Sequence, residues 1–164
     1  MTKPSYESPL CSRYASERMQ YIFSPDFKFL TWHRLWLALA ENEMKLGLNV
    51  TAEQVAELRE NLGVIDYEAA ERYERELRHD VMAHIRAWGD HCPKARGIIH
   101  LGATSCYVDD NGDLIAYREA LKQIRMLLIN ALAALADFIE REAGTPVLAY
   151  THYQAAQPTT VGKR

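Results

Sequence analysis

Leu114-Ile115-Ala116-Tyr117-Arg118-Glu119-Ala120-Leu121-Lys122-Gln123-Ile124-Arg125-Met126-Leu127-Leu128 opens a stretch whose apolar residues return at helical spacing. Leu114, Tyr117, Leu121, Ile124, Leu128, Ala131, Leu135 and Phe138 form a heptad series. Ile129, Leu132, Ala136 and Ile139 add a second stripe in its later half. The helix is expected to start near Asp110 or Asn111 and to run to Ala143, where Gly144 and Pro146 stop it. At ~1.5 Å per residue this is a rod of roughly 48 Å. A two-partner seam does not need so wide an apolar face, so the rod is expected to be buried among several helices. The helices before it are short and can cover only part of it. The rest calls for partner helices from later sequence or from other subunits.

The segment leading into this helix, residues 97–113, is the most informative for chemistry. A short apolar run, residues 98–101, is interrupted by His100. Gly102 and Ala103 then remove side-chain bulk, and Thr104 and Ser105 offer hydroxyls. Small residues and hydroxyls ahead of a helix start allow backbone N–H groups to meet a carboxylate or a phosphate. The same residues equally describe a turn and an N-cap.

Upstream, Pro4, Pro9 and several serines make much of residues 1–24 irregular in expectation. Arg13-Tyr14 can clamp a phosphate and stack on a base, or simply anchor the arm. Ser24-Pro25-Asp26 is a helix start, and Gly47 is its stop. Phe29, Trp32, Trp36, Leu39 and Leu46 form its apolar side, with His33 among them. Thr51 and Gln54 read as a capping box for a helix ending near Leu62. Asp66 caps a third helix expected to continue to about Trp88. Asp80 and His84, four apart, share a face there, so the Asp could orient the imidazole and raise its pKa. A surface ion pair and ordinary histidines fit the same spacing. Residues 89–97 read as a polar connector.

The bulk properties exclude several classes. Net charge is −3 with 25% charged residues, which gives no electrostatic case for nucleic acid or an anionic membrane. The three cysteines, Cys11, Cys92 and Cys106, show no paired spacing, so a disulfide framework is not expected. His79, His84, His91, Cys92, His100 and Cys106 fall close together without metal-ligand spacing, and no metal is expected. With no signal-peptide core or membrane-length apolar run, a cytoplasmic location is expected.

Four segments carry a resemblance. Ile99-His100-Leu101-Gly102-Ala103-Thr104-Ser105 resembles the first signature segment of the adenylosuccinate lyases, in the fumarase/aspartase superfamily. Ser12-Arg13-Tyr14, Leu77-Arg78-His79-Asp80-Val81-Met82-Ala83-His84 and Thr151-His152-Tyr153-Gln154 resemble other segments of that family, in the same order. Together they cover essentially the whole chain. The resemblance implies an all-α, L-aspartase-like fold. Residues 1–108 would form an N-terminal helical domain with substrate-binding segments, and residues 109–164 the start of a central helical bundle. Members of the family are much longer, so an N-terminal portion is expected, with a second long helix beginning where the chain stops. The family usually reads Gln-Pro-Ala-Gln after the His-aromatic pair; here it is Gln154-Ala155-Ala156-Gln157, followed by Pro158.

The implied reaction is a β-elimination that releases fumarate from adenylosuccinate, giving AMP, and from the related succinyl-carboxamide ribotide. The resemblance makes His152 the general acid and Thr104 and Ser105 the clamp for the substrate carboxylates. It makes Arg13, Tyr14, Arg78, His79 and Asp80 the holders of the nucleotide, with His84 behind them. It implies no separate cofactor, a homotetramer built through long helices, and no nucleic-acid or membrane partner. The family's catalytic base is a Ser on a loop worded Gly-Ser-Ser-x-Met-Pro-x-Lys, which these 164 residues do not contain. The 164 residues alone are therefore expected to be inactive. A sister lyase acting on argininosuccinate or fumarate, and a non-catalytic helical interaction protein, are the alternative readings.

Overall fold

A computed structural model describes residues 5–164; residues 1–4, which include Pro4 of the expected irregular arm, lie outside the described residues. The chain divides into two compact units, Met1–Ala120 and Leu121–Arg164. Residues 5–24 are more ordered than their prolines and serines suggest. Leu10–Tyr14 makes one π-helical turn, and α1 (Glu17–Ile22) follows. The Ser16 side chain accepts from the Met19 N–H at 3.2 Å and so caps α1.

The first unit is built around α2 (Pro25–Lys45). Ser24 Oγ accepts from the Phe27 N–H, and Pro25 takes the first helical position, where a missing N–H costs nothing. At the other end Gly47 turns the chain at φ +80°, a conformation that favours glycine. The capping box of α3 (Ala52–Glu60) is complete: Thr51 and Gln54 exchange bonds of 3.2 and 2.9 Å. The α3 end leaves carbonyls without helical partners, and two core side chains satisfy them. Trp88 Nε1 donates to the Asn61 carbonyl at 3.0 Å, and His33 Nδ1 meets the Leu62 carbonyl at 3.0 Å.

The third expected helix is two helices. α4 (Tyr67–Leu77) ends at Arg78, which adopts a left-handed conformation (φ 53°, ψ 40°). His79 is then extended, and α5 (Asp80–His91) begins. The two segments bury different kinds of surface. α4 buries only Ala69 and Ala70, against Ala87. α5 sends Val81, Ala83, His84, Ile85 and Trp88 inward. The break at Arg78 lets α5 fold back on α4 and still fill the core. α5 also runs through Gly89, which was expected to open a connector; Arg96 Cγ lies 2.9 Å from where a Cβ on Gly89 would stand.

The core is aromatic. Trp32, Trp36 and Trp88 are fully buried, with Leu58, Val81 and Val108 around them. His33 stacks on Trp88 at 4.0 Å and His84 on Phe29 at 3.7 Å. These two histidines are structural fillers of the core, not surface groups. α6 (Cys106–Arg141) is the long helix. It starts several residues before Asp110, because the Ser105 carbonyl already accepts from the Val108 and Asp109 N–H groups. In the first unit it buries Val108, Gly112 and Ala120. Gly112 admits close approach: a Cβ there would lie 3.2 Å from Trp32 Nε1.

In the second unit, the later half of α6 exposes its expected apolar stripe, including Leu121, Ile124, Leu128, Leu135 and Phe138. The chain then forms a hairpin of β1 (Pro146–Thr151) and β2 (Gln154–Thr160), which the all-α expectation did not include. Pro158, Thr159, Thr160 and Val161 favour extended backbone over helix. Gly162 closes the hairpin onto the helix end: its N–H donates to the Glu142 carbonyl at 2.9 Å. A Cβ there would lie 2.5 Å from the Ile139 carbonyl oxygen. Among the described residues no helix is long and apolar enough to cross a membrane.

Burial holds the pKa of both His33 and His84 at about 4, below the ordinary 6.5. The unfolded chain therefore binds more protons than the folded one between these values. Stability is expected to be level above pH 6.5 and to fall as pH drops toward 4, by up to roughly 3 kcal/mol per histidine. Urea denaturation across that range measures the slope, and His84→Phe, which keeps the stack on Phe29, removes its own share.

Candidate functional site

Four of the residues singled out for chemistry, His79, Asp80, Thr104 and Ser105, lie at the starts of two helices. His79 occupies the N-cap position of α5, and its Nδ1 lies 3.6 Å from Asp80 Oδ1. Asp80 Oδ1 also accepts from the Val81 N–H at 2.8 Å, a favourable place for a carboxylate at a helix start. Thr104 and Ser105 precede the first turn of α6. The N–H groups of Thr104, Ser105 and Cys106 donate to no acceptor among the described residues. They are free for an anion, with the positive end of a long helix dipole behind them.

Residues 97–105 lie between the end of α5 and the start of α6 and contain two left-handed residues, His100 (φ 67°) and Gly102 (φ 66°). Trp36 Nε1–H donates to His100 Nδ1 at 2.9 Å. That bond fixes the tautomer: the neutral ring carries its proton on Nε2. Burial lowers the His100 pKa, and the charge of His79 lowers it further, so the two rings share one field.

A second ring of groups surrounds these. Burial, and then the nearby Asp80 carboxylate, raise the Asp109 pKa, while Lys28 partly offsets them. Asp80 and Lys28 also act on His84. The expectation that Asp80 raises the His84 pKa is corrected here. Asp80 does push it up, but desolvation beside Phe29 and Trp32 outweighs it and keeps the ring neutral. Next to this group lies a cleft of about 330 Å³, lined among others by Ser24, Lys28, Phe29, Gly112 and Asp113.

The structure thus gathers His79 and Asp80 with His100, His84, Asp109 and Lys28, and it places Thr104 and Ser105 at the adjoining helix start. Arg13 and Tyr14 pair with each other, the guanidinium 5.7 Å from the ring centroid, and both are exposed. No hydrogen bond or ring contact ties that pair to the group among the described residues. Arg78 lines a shallow depression with Glu71, Glu74 and Arg75. His152 belongs to the second unit. It forms the hairpin tip with Tyr153, both exposed and both left-handed at φ 50° and 62°. Thr151 and Gln154 pair across the turn beneath it.

Sequence reasoning met His100 as an interruption of an apolar run, in a histidine–cysteine cluster without metal-ligand spacing and within the signature segment, but gave it no site role, and it passed over Lys28 and Asp109. Periodicity alone would not find them, because they converge from three elements. Among the described residues no three His, Cys, Asp or Glu side chains are placed to hold a metal ion.

No family model matches the chain. Curated relatives do. The adenylosuccinate lyase of Saccharomyces cerevisiae is 48% identical over 163 residues, 98% of this chain and 34% of that protein. Its counterpart in Schizosaccharomyces pombe is 46% identical over the same shares. That of Pyrococcus horikoshii is 31% identical over 95% of this chain and 35% of the relative. The chain spans about a third of the length of the curated relatives it matches. Among solved structures, the 3-carboxy-cis,cis-muconate lactonizing enzyme of Pseudomonas putida matches with a TM-score of 0.78 at 26% identity, over 91% of this chain and 35% of that one. A fumarate lyase from Mesorhizobium sp. BNC1 matches with a TM-score of 0.81 at 22% identity, over 90% and 35%, which establishes the shared fold. Over nearly its whole length the chain is similar in sequence to the adenylosuccinate lyases, of whose length it spans about one third, and it shares the fold of the solved structures above.

Proposed function

We propose that this chain supplies substrate-binding and acid–base groups to an adenylosuccinate lyase, which releases fumarate from adenylosuccinate and from the succinyl-carboxamide ribotide. The observation that carries the reading is the 48% identity to a curated adenylosuccinate lyase over 98% of the chain. The geometry supports it. Breaking the C–H bond next to a carboxylate builds negative charge on that carboxylate. Donors already aimed at it lower the barrier. The unoccupied N–H groups of Thr104, Ser105 and Cys106 are such donors, fixed at the start of a long helix.

His152 is the proposed acid that protonates the departing nitrogen. A hairpin tip is exposed, so its imidazole is available to a group brought against it. His79 and Asp80 hold the nucleotide portion, with Arg78, Arg13 and Tyr14 as further contacts. Residues 1–108 carry the binding segments, and residues 109–164 begin the helical bundle. The exposed stripe of α6 is read as a subunit surface of a homotetramer, and the compartment as the cytoplasm.

The direct test is complementation. The 164-residue chain alone is expected to release no fumarate from adenylosuccinate, whereas co-expression with the remaining two thirds of the Saccharomyces cerevisiae relative should restore release. In that assembly His152→Gln should lower kcat by ~100-fold or more. Turnover of argininosuccinate but not adenylosuccinate would overturn the substrate assignment.

The clamp makes a separate expectation. The Thr104 and Ser105 hydroxyls add side-chain donors to the backbone N–H groups, so removing them with Thr104→Val and Ser105→Ala in the assembled protein should each cost about 10-fold in kcat/KM while the N–H donors stay in place, with thermal stability little changed. Steady-state kinetics beside thermal melts separates that loss from unfolding.

A further inference from the structure

Trp36 links the aromatic core to the candidate site by a polar bond. It lies on α2 and is fully buried. Trp32 meets it edge-on at 5.9 Å, and Trp88 and His33 flank it with ring centroids 6.0 Å away. Rings packed on several sides hold the indole plane, and with it the direction of the N–H. That N–H ends on His100 Nδ1 at 2.9 Å, with the two rings at 89°. The His100 carbonyl accepts from the Ala103 N–H at 3.2 Å, which ties the residue to the segment entering α6. The charge of His79, at the start of α5, reaches the same ring.

The direction of the bond is informative. An indole N–H donates and never accepts, so Nδ1 presents a lone pair and the ring proton sits on Nε2. Protonating Nδ1 would set one N–H against another. Trp36 therefore opposes the imidazolium form, as burial does. His100 is half-buried, and its Nε2 has no hydrogen-bond partner among the described residues and is not enclosed. While the bond holds, two roles are closed to this ring. It cannot take a proton at Nε2 as a base, and it cannot anchor an anion as a cation. What remains is a neutral donor with nothing yet to donate to.

We propose that Trp36 is a positioning residue, which holds His100 in the form that offers its Nε2–H to an acceptor oxygen of the bound substrate. A substrate group that carries its own proton at that place is disfavoured, because two donors would face each other. The inference rests on the lyase reading for its substrate, and on the bond alone for the tautomer. A purely structural Trp36 would need only its bulk. Its N–H could then go to a backbone carbonyl, as the Trp88 N–H goes to Asn61.

The first readout is the nitrogen chemistry of His100. Two-bond proton–nitrogen correlation spectra of the histidine-labelled 164-residue chain show which ring nitrogen carries the proton, with His100→Leu assigning the signal. Nε2–H at neutral pH is expected. Nδ1–H, or an even mixture, would overturn the proposal without recourse to a Trp36 variant. Replacing Trp36 by 3-benzothienylalanine keeps the fused ring and exchanges its N–H for sulfur. That protein should stay folded by circular dichroism, yet show both tautomers and a His100 that titrates at higher pH than in the parent. An unchanged tautomer there would defeat the positioning role. The second readout is kinetic, in the protein assembled with the remaining two thirds of the Saccharomyces cerevisiae relative. The sulfur replacement should lose about 10-fold in kcat/KM for adenylosuccinate, roughly the worth of one hydrogen bond. His100→Gln keeps an uncharged N–H donor and should lose about 10-fold less than His100→Leu. Equal losses in those two would rule out the donor role. An assembled parent that releases no fumarate from adenylosuccinate would sink the lyase reading and leave the tautomer result standing.

Discussion

The hydrogen bond from the Trp36 indole to His100 Nδ1 is the contact on which the site depends. It joins the most deeply buried aromatic ring to a residue held in a left-handed conformation. That conformation costs roughly 1–2 kcal/mol for a non-glycine residue, and a single hydrogen bond returns about 1. The remainder comes from Ile98 and Ile99, both buried, at about 2 kcal/mol each. Burial supplies the energy, and the bond selects the geometry. Without the bond the same two isoleucines could be buried by turns that leave the His100 ring without its partner on α2.

Much of this was legible in the sequence. Ser24-Pro25 and the Thr51/Gln54 box encode helix starts through local chemistry, and the structure uses them as read. The heptad of α6 was equally plain, because a long apolar stripe has few other meanings. The break at Arg78 was not legible. Nothing in Arg78-His79 is a helix breaker, and the turn exists because α4 and α5 must bury different faces. The hairpin was hidden for a related reason. The last residues carry a prolonged resemblance to a helical family, and that expectation outweighed the local β preference of Thr159, Thr160 and Val161.

The site divides along the same line. The residues named from the sequence, His79, Asp80, Thr104 and Ser105, sit in short contiguous segments, where order along the chain equals nearness in space. Lys28, His100 and Asp109 join them only through packing. Their electrostatics follow from that packing as well. Asp80 and Asp109 confront each other near Lys28, while His84 and His33 are neutral because they are stacked inside the core. At the candidate site Asp80, Asp109 and Lys28 lie in the first turns of α5, α6 and α2, and the tryptophan core behind them is uncharged.

The hairpin tip shows a different kind of constraint. A two-residue turn with both members left-handed is ordinarily made from Asn and Gly, yet here it is made from His152 and Tyr153, and the Tyr153 side chain makes no use of the fold to recover the cost. Random mutagenesis followed by sorting for heat resistance alone would enrich His152→Asn and Tyr153→Gly at this tip. The fittest molecules by that criterion would be those that had discarded the imidazole, so under the acid role proposed for His152 this turn marks a position where sorting for durability and sorting for use run in opposite directions.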